Sequence, residues 1–204
     1  VNHALLLSDV ATDNSVIPRY GYLIIDEAHH VEDATTNQLG YNVARWTLES
    51  LIVQIGVERR SFGGFTAQAW LQSQGRVPDE GLAELSDAMG AVHAGNECAL
   101  RSVRELFEDL GGFVAEHQDR AGPYDSRIRL TRDLRIQPGW ERIELRWDGV
   151  AADLASVEAE LGLLLETMES FAGLGIAGYD DLIQEGYGLL GQLETMVAQT
   201  ESII

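Results

Sequence analysis

The feature that most limits what this chain can become is a hydrophobic repeat. Between residues 140 and 171, Trp140, Ile143, Trp147, Val150, Leu154, Val157, Leu161, Leu164, Met168 and Phe171 succeed one another in alternating steps of three and four. A period near 3.5 keeps one stripe of a helix turned toward a partner over many turns, whereas a strand changes face at every residue. A second series runs Leu82, Leu85, Met89, Val92, Asn96, Ala99, Val103, Leu106, Leu110, Phe113, unbroken once the polar Asn96 is admitted. Weaker series run from Leu182 through Gly186, Leu189, Leu193, Met196 and Thr200 to Ile203, and through Tyr41, Ala44, Leu48, Leu51 and Ile55. Thirty residues at about 1.5 Å each make a helix of about 45 Å. The repeats therefore predict a mainly α chain, with an elongated antiparallel helical bundle over residues 38–204.

Glycine and proline punctuate that bundle. Gly56, Gly63, Gly64, Gly75 with Pro78, Gly111 with Gly112, and Gly173, Gly175 and Gly178 are expected in the loops. Asn96 in an apolar seam reads as a register-setting polar residue or as a kink beside Gly95. The stretch SRIRLTRDLRI, residues 126–136, alternates polar and apolar side chains, which predicts a short strand or hairpin. The seam also places Trp140, Trp147 and Phe171 in the core, while Trp46 and Trp70 have no assigned place. A single cysteine, Cys98, rules out an internal disulfide framework or an all-cysteine metal centre within these residues and is expected as a small buried apolar group.

Charge narrows the function classes. The net charge is −19, so a generally basic nucleic-acid surface is excluded, although seven of the 14 arginines fall between Arg120 and Arg146 with only four acids. All 14 basic residues are arginine. Without a lysine there is no GxxxxGK[ST] phosphate loop, and these residues alone are not expected to hydrolyse ATP. No apolar run is long enough to span a bilayer and the first residues lack the basic start of a signal peptide, so a cytoplasmic location is expected.

The first 37 residues have a different texture. NHALLLSDV is followed by the loop-like TDNSVIPRYG and then by YLIID, which reads as a buried strand, with a helix expected from Val31 and favourable acids Glu32 and Asp33 in its first turn. This is a small α/β remnant. The strand runs into LIIDEAHHVEDA, where two adjacent carboxylates stand at a strand end, the place where α/β enzymes bind ligands. In an NTPase one such acid holds magnesium and its neighbour addresses the attacking water. A metal site at His29, His30 and Glu32 competes with this reading, but adjacent histidines on a helix point about 100° apart.

YLIIDEAHHVEDAT resembles motif II of superfamily 2 helicases, in the branch that contains DinG and XPD. VNHALLLSD is similar to the NHxLL segment ahead of that motif, and IRLTRDLR with PGWERIELRWDGV looks like bacterial DinG-type arch sequences. The resemblance implies that residues 1–37 belong to RecA-like motor domain 1 and residues 38–204 to the helical arch domain of an ATP-dependent 5′ to 3′ DNA helicase. It implies ATP and Mg2+ as cofactors of the intact enzyme, with Asp26 holding the metal through water, Glu27 orienting or deprotonating the nucleophilic water, and His29 reporting nucleotide state. It also implies single-stranded DNA and the remaining helicase domains of the same parent chain as partners, and an iron-sulfur cluster in a domain upstream; some family members add a nuclease domain. Arg127, Arg129, Arg132 and Arg135 are candidates for DNA backbone contacts, weighed against an ordinary solvated face paired with acids. The competing class is a non-catalytic helical protein-interaction module. Taken alone, residues 1–37 would lack sheet neighbours and are expected to be displaced, exchanged between protomers in a non-native dimer, or packed non-natively on the bundle.

Overall fold

The computed structural model of the chain describes residues 2–12, 15–32, 34–35, 43–56, 62, 75–117, 128 and 130–202. Two compact units emerge, Val1–Asn42 and Val43–Ser202. The expected mainly α architecture is what is found: the described residues form helices and contain no strand.

In the larger unit, α2 (Arg45–Gly56), α3 (Asp79–His117), the single turn α4 (Arg132–Arg135), α5 (Pro138–Glu169) and α6 (Tyr179–Glu201) follow in order; α1 belongs to the smaller unit. Contacts between α3 and α5 show an antiparallel pair. Phe113 packs edge-on against Trp140 at 5.6 Å, Ser102 hydrogen-bonds Asp153, Gly95 approaches Val157 and Gly81 approaches Phe171, so one number falls as the other rises. Helix α2 is likewise antiparallel to α3, with Glu49 bound to Arg104 and Gly56 beside Asn96. Helix α6 turns back on α5, bringing Gly186 against Leu165 and Tyr187 onto Glu169 at 2.8 Å.

The core is the seam that the sequence spells out. Every member of the 140–171 series is buried, and in the 82–113 series only Leu82 and Leu110 are partly exposed. Burying side chains of this size stabilises the bundle by about 1.5–3 kcal/mol apiece. Leu100 and Leu165 are also buried although they lie off the 3.5 seams. Gly186 of α6 explains Leu165: a helix with two neighbours needs a wider apolar face than a two-helix seam provides.

Several local expectations are corrected. The strand or hairpin expected over 126–136 is not found among the described residues of that stretch, where Arg132–Arg135 forms a helical turn that hydrogen-bonds back to Thr131; Arg127 and Arg129 lie outside the described residues. Gly111 and Gly112 are not a loop but part of α3, which runs to His117. Cys98 is exposed, because the seam takes Asn96 and Ala99 and leaves position 98 on the outer side. Asn96 itself is fully buried within a continuous helix. The expected breaks at Gly75, Gly175 and Gly178 do occur, each at a positive φ that suits glycine. Trp46 is exposed on α2, and Trp70 lies outside the described residues. No helix among the described residues is long and apolar enough to cross a membrane.

Candidate functional site

The smaller unit begins with α1, His3–Ala11, capped by Asn2, whose side-chain oxygen accepts from the Leu5 N–H at 2.8 Å. Asp9, near its end, is fully buried, and one carboxylate oxygen accepts the backbone N–H groups of Val16 and Ile17 at 2.7 and 2.8 Å. This pair of bonds ties the following loop to the helix and aims the chain into residues 20–25.

YLIID, residues 22–26, was expected as a buried strand. These residues form no strand or helix, and Tyr22 and Ile24 are 95% and 94% exposed. The physical reason is that an apolar run becomes a strand only when another strand satisfies its N–H and C=O groups. Beside the run lies a cavity of about 560 Å³ whose wall includes His3, Leu6, Ile17, Tyr20, Asp26 and Glu27.

At the end of this run the chain turns sharply. His3 Nε2–H donates to the Asp26 carbonyl at 3.0 Å, and the Asp26 carboxylate accepts the Glu27 N–H at 2.9 Å. Glu27 has φ 50° and ψ 46°, the left-handed region that non-glycine residues enter at a cost on the order of 1–3 kcal/mol. From there a 3₁₀ turn, Ala28–His30, opens, closed by the His30 N–H on the Glu27 carbonyl at 2.9 Å. The expected helix start at Val31 is thus preceded by a tighter turn, and Asp33 lies outside the described residues.

The turn gathers the motif's side chains. Asp26 and Glu27 are adjacent and exposed, and Glu27 Oε2 lies 3.3 Å from His29 Nδ1. The His29 and His30 rings sit 4.0 Å apart, tilted by 41°. On a regular helix they would splay, as the sequence reading supposes; here Glu27 and both imidazoles come together at the left-handed turn, a conformation that composition and spacing do not signal. Hard, exposed carboxylate oxygens of this kind suit a hydrated magnesium ion. A triphosphate would find no lysine in this chain.

The arginine-rich window in the larger unit is divided. Arg146 pairs with Glu105 at 2.7 Å and with Asp109 at 3.1 Å, and Arg142 lies 3.8 Å from Asp109. These two arginines serve the α3–α5 interface. Arg132 and Arg135 are exposed, the Arg135 guanidinium standing 5.4 Å from the centre of the Trp140 ring.

What fold and site define together is a helical protein with an exposed Asp-Glu-Ala-His turn. No family model matches the chain, and no solved structure matches it. Among curated proteins it is 30% identical over 130 residues to the 3′-5′ exonuclease DinG of Bacillus subtilis (strain 168), a match that takes in 59% of this chain and 14% of that protein.

Proposed function

We propose that this chain is a part of an ATP-dependent DNA helicase of the DinG/XPD type, joining the motif II segment of motor domain 1 to the arch domain. One observation carries the reading: the segment YLIIDEAHHVEDAT holds two adjacent exposed acids, Asp26 and Glu27, in a chain similar to DinG over 130 residues. The exonuclease activity in that relative's name would need its own cluster of metal-binding acids. The described residues group only Glu27, His29 and His30, so the nucleotide element is what we carry over.

In this reading Asp26 holds hydrated magnesium, which when bound neutralises charge on the β and γ phosphates. Glu27 orients the attacking water and accepts its proton, and His29, within reach of the Glu27 carboxylate, couples that site to a neighbouring domain. The phosphate-loop lysine has to come from elsewhere in a longer chain. The helical unit then helps to enclose single-stranded DNA, with Arg127, Arg129, Arg132 and Arg135 on its backbone.

Two tests bear on this. The gene on either side should encode GxxxxGK[ST] upstream and a second motor domain downstream, and a gene that encodes neither sinks the reading in favour of a helical interaction module. In the longer enzyme, replacing the four arginines with Gln should weaken binding to single-stranded DNA and flatten its salt dependence by about 0.7 per lost phosphate contact. An unchanged slope removes these arginines from the DNA path.

A further inference from the structure

We propose that Glu27, His29 and His30 form a binding site for a borderline-soft divalent transition cation of the Zn2+ type. The three side chains offer one ligand atom each, and these atoms all lie within 4.8 Å of one another. Glu27 Oε2 and His29 Nδ1 are already 3.3 Å apart. Tetrahedral zinc with bonds of about 2.0–2.1 Å places neighbouring donors about 3.3 Å apart, so this edge of the polyhedron is preformed. All three side chains are exposed, and modest rotations bring the third donor in while water takes the open position.

The backbone supplies the second argument. Glu27 is the one non-glycine residue with positive φ among the described residues, and it stands at the turn where its carboxylate and the two imidazoles come together. Strain held at a point where three ligand groups converge suits a site that a bound ion repays. Two imidazoles among three donors select Zn2+, Ni2+ or Cu2+ over Mg2+, which takes oxygen donors. The site therefore differs in ligand class from the magnesium position assigned to Asp26. It does not rest on the helicase reading, since it needs His30, which lies outside the D-E-A-H set, and needs no nucleotide.

The test is calorimetric titration of this chain with Zn2+ in the absence of nucleotide, with Co2+ as an optical probe of the coordination sphere. One ion per chain is expected. Loss of a supporting group around a metal already costs about 10–100-fold in affinity. Loss of a ligand should cost at least as much, so Glu27→Gln and His30→Ala should each weaken binding by about tenfold or more. Circular dichroism should show unchanged helicity, because the substituted side chains are exposed. Absence of binding overturns the proposal. So does binding that persists unchanged in the His29→Ala/His30→Ala double variant, which would locate the ion elsewhere, for example at the His93–Glu97 pair.

Discussion

Asn96 sits fully buried where α2 ends against α3, and neither its amide nitrogen nor its amide oxygen has a hydrogen-bond partner among the described residues. A buried amide in that state costs about 1–3 kcal/mol, more than the small void left by truncation. Asn96→Ala should therefore raise stability by about 1 kcal/mol in chemical denaturation. Such a polar residue is kept for register rather than stability. Its position was legible because it falls on the 3.5-residue seam; its lack of partners was not, because that depends on Gly56 and Val92 crowding beside it. Glu49 gives a pH-dependent counterpart. Burial pushes its carboxyl up, but hydrogen bonds from Arg45 and Arg104 outweigh this and hold it below its ordinary value. Its contribution is therefore complete above the unfolded carboxyl's pKa and fades as pH falls through the lower folded value. Glu49→Gln should cost about 0.5–1 kcal/mol near neutrality. That gap should narrow as pH falls through and below the usual carboxylate range, when urea unfolding is compared at neutral and acid pH.

Whole helices were the most legible level, since nine successive seam residues of α5 are a long signal with no competing explanation. Short strand-like stretches were the least reliable, and for a physical cause. YLIID lacks a pairing strand, and IRLTRDLR is too short to resist closing a helical turn at Arg132–Arg135. Glycines inside these helices divide according to what packs on them. A Cβ at Gly149 of α5 would meet nothing within 4 Å, whereas one at Gly186 of α6 would run into Leu165 and Phe62. Gly149→Ala should raise stability by about 0.5–1 kcal/mol through backbone entropy alone. Gly186→Ala should lower it by about 1–3 kcal/mol through overpacking. Thermal unfolding of the two variants side by side checks both signs.

For the molecule as a whole, the chain covers 14% of the length of its DinG relative, and its two units carry different kinds of information. The bundle could be read from periodicity because its helices complete their own hydrogen bonds and bury their faces against one another. The candidate site was legible as residue types, Asp26, Glu27 and His29, but not as geometry: the left-handed turn at Glu27 and the meeting of His29 with His30 follow from local backbone conformation that no pattern of hydrophobicity encodes. In the proposed function, Glu27 is the water-orienting acid of an ATP site completed by a longer chain. The most direct measurement is steady-state ATP hydrolysis by that longer enzyme, with and without single-stranded DNA, for wild type and Glu27→Gln. General-base catalysis contributes about a hundredfold to ten-thousandfold, so the variant should lose at least about a hundredfold in turnover while still binding ATP. Turnover equal to that of the wild type would contradict the account.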